Sequence, residues 1–125
     1  MAKAKFVEKR VRMGLRDIIK YQLITESFIN RIHITNSELD CLALLGVYGE
    51  YELAEFCNSI VDEKIFTNPQ TVRNFLNKAE KNKLILKKAV KGSNRKKIQL
   101  NPEFKIQTQG VIVLDYKIAH VAQEQ

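Results

Sequence analysis

Residues 68–100 read NPQTVRNFLNKAEKNKLILKKAVKGSNRKKIQL, and this stretch decides the fold. Asn68 is a favourable helix cap, and Pro69 suits the first helical position because its missing N–H would have no partner there. Apolar residues then recur on one helical face, at Val72, Phe75, Leu76 and Ala79. The spacing predicts a helix that begins after Asn68 and buries one of its sides.

Two β-prone runs follow this helix. They cover residues 84–90 and 95–100, and the residues between them read KGSN. Such a pattern is typical of a β-hairpin, which Pro102 would end. The hairpin is rich in cations, at Lys87, Lys88, Lys91, Arg95, Lys96 and Lys97.

Two more helices are predicted upstream. Thr35 and Glu38 have the spacing of a capping box and would begin the first of them. The second is predicted from about Tyr51 to Val61. Residues 31–34 alternate polar with apolar side chains and predict a short strand before the first helix. The apolar residues within 58–67 predict a packed extension between the second helix and the third.

The ends of the chain are less determined by their sequence. A helix is predicted over roughly 14–28, and residues 1–13 fit either a helix or a strand. An apolar run at 111–118 predicts a strand that needs a partner, since an exposed strand edge invites pairing. That partner is either the N-terminal segment or another subunit.

The positive charge is concentrated in two segments. The chain has a net charge of +7, and residues 73–97 hold ten basic side chains against Glu80 alone, a local net charge of +9. Residues 1–20 carry a net charge of +5, whereas residues 21–72 carry −6. A localised excess of this kind indicates a polyanion or an acidic partner.

Several classes of function are excluded by what the sequence lacks. With 125 residues the chain forms one domain of ordinary size. Two cysteines and two distant histidines are too few for a metal cluster, and no phosphate loop or nucleophile–base pair is found. We therefore expect no enzyme activity, cofactor or metal. No apolar run is long enough for a membrane span, so we expect a protein of the cytoplasm or of a particle assembled there.

Residues 31–101 resemble the winged helix-turn-helix of MarR-type regulators. The resemblance rests on Ile32 to Glu38 as the entry to the first helix, Leu53 to Glu55 as the start of the second, Gln70 to Leu76 as a recognition helix and Ala79 to Ile85 as its exit. It implies an α+β, mainly α fold, a three-helix core plus β-hairpin wing. The N-terminal helix predicted within residues 1–30 and the C-terminal strand predicted within 102–125 would be extensions of this domain. The connection at 58–67 is longer than the family's usual turn.

In this family the third helix enters the major groove and the wing touches the DNA backbone or the minor groove. The resemblance therefore implies base-edge contacts from Gln70, Thr71, Arg73, Asn74 and Asn77. It implies phosphate contacts from Lys78, Lys81, Lys91, Ser93, Asn94, Arg95, Lys96 and Lys97.

Two functions fit these observations. The first is a protein that binds double-stranded DNA, as a transcription or replication regulator of a bacterium, phage or mobile element. The alternative is a structural protein that uses a winged helix to assemble in a ring or virion-type complex, as a homo-oligomer joined through its N- and C-terminal extensions. The basic N-terminus fits an arm along DNA, a disordered tail or a subunit contact.

Overall fold

The computed structural model describes residues 14–108. This part of the chain is an α+β fold, mainly helical, with one small antiparallel sheet. In chain order its elements are α1 (Leu15–Ile29), α2 (Asn36–Tyr48), β1 (Tyr51–Glu52), α3 (Leu53–Asp62), α4 (Pro69–Lys81), β2 (Ile85–Ala89), β3 (Lys96–Leu100) and a 3₁₀ turn (Pro102–Phe104).

The beginnings of α2 and α4 are fixed by side-chain caps. The Thr35 hydroxyl accepts from the Glu38 N–H at 3.2 Å, and the Glu38 carboxylate accepts from the Thr35 N–H at 2.8 Å. At the start of α4 the side-chain carbonyl of Asn68 accepts from the Thr71 N–H at 2.9 Å. Both predicted starts are thereby confirmed, because capping depends only on neighbours in sequence. The N-terminal helix predicted over 14–28 is also confirmed, as α1.

Three helices end in the same way, with a basic residue where glycine is usual. Arg31, Lys64 and Lys83 follow α1, α3 and α4 with φ angles of 55°, 59° and 60°. In each case the next residue donates its N–H to a carbonyl of the last helical turn, as Leu84 does to Ala79 at 2.8 Å. This is the Schellman arrangement, which satisfies carbonyls that the helix leaves without partners.

The sheet has the order β1-β3-β2, so β3 is its central strand. The predicted hairpin is confirmed: β2 and β3 pair antiparallel from Ile85 opposite Leu100 to Ala89 opposite Lys96. On its other edge β3 pairs with β1, where Tyr51 lies opposite Ile98. Ile85 and Ile98 are buried, so one sheet face closes the helical core.

One core joins all four helices to the sheet. Ile19 and Leu23 of α1 are buried in the same cluster as residues of α2, α3, α4 and the hairpin. At the crossing of α1 and α2, a Cβ on Gly46 would lie 2.8 Å from Ile19 Cγ2 and 2.9 Å from Leu100 Cδ1. Helix α2 therefore approaches α1 and β3 closely only because residue 46 has no side chain.

One predicted element, the strand at 31–34, is wrong, and the second predicted helix is confirmed with a later start. Residues 31–34 form an irregular segment and not a strand. Their polar and apolar side chains alternate because Ile32 and Ile34 pack on the core. The second helix begins at Leu53 and not at Tyr51, because Tyr51 and Glu52 pair with β3 as the short strand β1. Glu52 then acts as the helix cap.

The connection between α3 and α4 packs as predicted. Ile65 and Phe66 lie against the core, and the Phe66 ring centroid is 6.1 Å from that of Phe75 on α4. The predicted features at residues 1–13 and at 111–118 lie outside the described residues.

Candidate nucleic-acid interface

Helix α4 has one buried face and one exposed face. Val72, Phe75, Leu76 and Ala79 are buried in the core. Because they hold the helix in this rotation, the five predicted base-edge residues on the other side are all exposed. The eight predicted phosphate contacts are exposed as well.

A cleft of about 670 Å³ lies between the start of α3, the exposed face of α4 and the hairpin. Six of the thirteen predicted residues line it: Gln70, Arg73 and Asn77 from α4, and Asn94, Arg95 and Lys96 from the hairpin. Helix and turn, which are separate in sequence, thus present amide and cationic side chains to one space.

The other predicted residues lie outside this lining. Thr71 donates its hydroxyl to the cap residue Asn68 at 3.1 Å, and Lys97 lies 3.9 Å from the Glu50 carboxylate. The Ser93 hydroxyl accepts from the Arg95 N–H at 3.1 Å and so stabilises the hairpin turn. Asn74, Lys78, Lys81 and Lys91 also lie outside the lining, and Asn74 is hydrogen-bonded to Gln70.

Lys87 is a cleft residue that the resemblance did not assign. Its ammonium donates to the Asn77 side-chain carbonyl at 3.1 Å and lies 3.6 Å from the Glu80 carboxylate. These contacts connect β2 to α4 and hold the hairpin against the helix. Lys87 lies two residues after buried Ile85 on β2, so strand alternation places both side chains on the same sheet face. This alternation is the sequence pattern from which the inward direction of the Lys87 side chain could be predicted.

Two carboxylates border the cleft on the α3 side. Glu52 accepts through one oxygen from the Ala54 N–H at 3.2 Å and through the other from the Glu55 N–H at 3.0 Å. The positive end of the α3 dipole is therefore already neutralised by the chain's own carboxylate, and a phosphate cannot take that place. Glu55 is exposed beside it.

Positive charge nevertheless dominates the interface. The cleft lining contains four cations, Arg73, Lys87, Arg95 and Lys96, against Glu52 and Glu55. Of the ten cations in residues 73–97, only Lys87 and Lys97 have a carboxylate partner within 4.0 Å among residues 14–108. The other eight have no carboxylate that close among these residues, so their charge favours an anionic surface.

The two cysteines take no part in the interface. Cys41 and Cys57 are free thiols buried in the core, and burial raises the pKa of each above its ordinary value. Within the described part of the chain, no group of three or more His, Cys, Asp or Glu side chains is placed to hold a metal ion. No helix among these residues combines the length and the hydropathy needed to cross a bilayer.

Compared with known proteins, the chain matches no family model and shows no significant similarity to a curated protein or to a solved structure.

Proposed function

We propose that this chain is a winged-helix protein that binds double-stranded DNA, as a transcription or replication regulator of a bacterium, phage or mobile element. One observation carries the proposal: exposed Gln70, Arg73 and Asn77 of α4 border the same cleft as Asn94, Arg95 and Lys96 of the hairpin. A helix that offers amides beside a turn that offers cations suits base edges and phosphates respectively.

The order of elements supports a winged helix. From α2 onward the chain runs helix, short strand, helix, helix and hairpin, with β3 between the other two strands. In that arrangement α4 would be the helix that enters the major groove, and the β2–β3 turn would be the wing that follows the DNA backbone.

The distribution of acids supports the same orientation. Glu52 occupies the N-terminus of α3, so phosphates would be bound by the hairpin and by the cations of α4 instead. Residues 21–72 carry a net charge of −6, which would disfavour an approach of the duplex along α2.

A pair of charge-matched variants tests the proposal. The first combines Lys91→Gln, Arg95→Gln and Lys96→Gln, which removes three exposed hairpin cations without changing side-chain length greatly. The second combines Arg31→Gln, Lys64→Gln and Lys105→Gln, three exposed cations outside residues 73–97. Fluorescence anisotropy with a labelled random-sequence duplex at low salt would compare them with the unmodified chain.

We expect the hairpin variant to lose about tenfold or more in affinity, because each lost phosphate contact also abolishes a counterion release. The control variant has the same net charge as the hairpin variant. Its affinity should stay within about threefold of that of the unmodified chain, because its three substitutions lie outside residues 73–97. Absence of duplex binding by the unmodified chain at low salt would overturn the proposal, and so would an equal loss in both variants.

A second candidate function, self-assembly as a structural protein, is favoured by the outer face of α1. Tyr21, Ile24 and Phe28 lie along one side of this helix, and the side chains of Phe28 and Ile29 are 84% and 67% exposed. Glu26 is the single charged residue between positions 21 and 30. A neutral apolar surface of this kind can face its own copy without like-charge repulsion.

Light scattering after size exclusion tests this second function. We expect a mass above the 14.5 kDa of one chain, and a return to that mass in Phe28→Lys. Val47→Lys changes another exposed apolar residue, on α2, and should leave the mass unaltered. A monomeric unmodified chain would exclude self-assembly through α1.

A further inference from the structure

Two amide side chains on the exposed face of α4 are bonded to each other. The Gln70 side-chain N–H donates to the Asn74 side-chain carbonyl at 3.0 Å, one helical turn further along. Both residues are exposed, so the remaining polar atoms of the pair are open to a ligand. A hydrogen bond between residues at i and i+4 also restrains both side chains before any ligand arrives.

Each amide of the pair keeps one polar group that takes no part in their hydrogen bond. Gln70 keeps its carbonyl oxygen, and Asn74 keeps its NH₂ group. Exchanging oxygen and nitrogen in both amides reverses the bond but leaves the same two functions exposed. The pair therefore presents an acceptor next to a donor in either arrangement.

In the major groove this pattern matches adenine. Adenine offers its N6 amino group as a donor and N7 as an acceptor, whereas guanine offers two acceptors, N7 and O6. An acceptor placed against guanine O6 would be repelled and left without a partner. We infer that Gln70 and Asn74 act together as the element that selects an A·T pair, an inference that rests on the proposed DNA binding.

The neighbouring side chains of α4 offer different patterns. Arg73 has donors only, which suits the two acceptors of guanine. The carbonyl of Asn77 already accepts from the Lys87 ammonium at 3.1 Å, so a second donor would have to share this oxygen with a cation. Among the predicted base-edge amides, the Gln70–Asn74 pair therefore offers the adenine pattern without competing with a cation.

Selection of binding sites from a randomised duplex library tests the inference, with Asn74→Asp and Asn77→Asp as matched variants. Each adds one negative charge to the exposed face of the same helix, so we expect both to weaken overall binding. Asn74→Asp replaces the free donor by a second acceptor, which no longer fits adenine N7. Circular dichroism would show that both variants keep the helical content of the unmodified chain.

We expect sites selected by the unmodified chain and by Asn77→Asp to share an adenine at one fixed position, and Asn74→Asp to lose it. Replacing that adenine by 7-deazaadenine, which lacks the N7 acceptor, should reduce affinity about fivefold for the unmodified chain and not for Asn74→Asp. Duplex binding without a fixed adenine, or the same base profile for both variants, would overturn the inference and leave DNA binding standing. No duplex binding at low salt would overturn both.

Discussion

At the scale of single residues, Arg31, Lys64 and Lys83 adopt a backbone conformation that L side chains disfavour. The left-handed region costs a residue with a Cβ about 1–2 kcal/mol relative to glycine. The following residues, Ile32, Ile65 and Leu84, are apolar and pack on or within the core. Their burial holds the chain in this turn, and the basic side chains suit the negative end of each helix dipole.

Replacing one of these residues by glycine should stabilise the protein. We expect Lys64→Gly to raise the free energy of unfolding by about 0.5–1 kcal/mol, because the left-handed strain exceeds the extra chain entropy that glycine loses. Lys78→Gly, the same change inside α4, should lower it by about 1 kcal/mol. Urea denaturation of the two variants checks both signs, and a loss of stability in Lys64→Gly would contradict this view of the helix ends.

The carboxylate of Glu55 would repel an anion that enters the cleft. It is exposed in the cleft lining, and it is not the residue that caps α3. We expect Glu55→Gln to raise affinity for random duplex DNA about two- to fivefold at low salt, because one repulsive charge is removed. Glu63→Gln removes an exposed charge outside the lining and should change affinity less. Equal effects would mean that only the net charge matters.

At the scale of elements, Gly46 sets the distance between α1, α2 and β3. An added methyl group would meet Ile19 Cγ2, a branched atom of a fully buried side chain that cannot rotate away. Overpacking of this kind costs about 1–3 kcal/mol, against a gain of about 1 kcal/mol from the better helix propensity of alanine.

We therefore expect Gly46→Ala to destabilise the protein by up to about 2 kcal/mol. Thermal unfolding measures the change. The double variant with Ile19→Ala should be more stable than the sum of the single effects predicts, since the new methyl group enters the space that Ile19 leaves. Strict additivity would show that the two positions do not interact.

The elements also show what the sequence can predict. The starts of α2 and α4 were predictable because Thr35 and Asn68 cap through neighbours a few residues away. Strand β1 was not, because Tyr51 becomes a strand only by pairing with Ile98, far along the chain. The ends of α1, α3 and α4 lacked their usual signal, since lysine or arginine occupies the glycine position.

In the candidate site, too, some features could be predicted from the sequence and others could not. The exposed face of α4 and the basic turn followed from periodicity and composition alone. Strand alternation could have shown only that Lys87 points inward. The contacts of Lys87 in the cleft, and the place of Glu52 there, depend on how the hairpin and α3 are packed around α4. The register of the sheet, and no local pattern, brings these elements together.

At the scale of the whole molecule, the charge is divided between two parts of the chain. Residues 73–97 carry a net charge of +9 and residues 21–72 carry −6. In the folded chain the exposed face of α4 and the hairpin meet at one cleft, where four cations outnumber Glu52 and Glu55 of the acidic part. Such an asymmetry orients the protein toward a polyanion before contact.

The salt dependence of duplex binding tests most directly whether this surface binds phosphates. We predict that the logarithm of the association constant falls linearly with the logarithm of salt concentration, with a slope of roughly −3 to −6, about −0.9 for each phosphate neutralised. The variant with Lys91→Gln, Arg95→Gln and Lys96→Gln should have a slope that is smaller in magnitude by about 2–3. A slope near zero, or one that the three substitutions leave unchanged, would contradict the account.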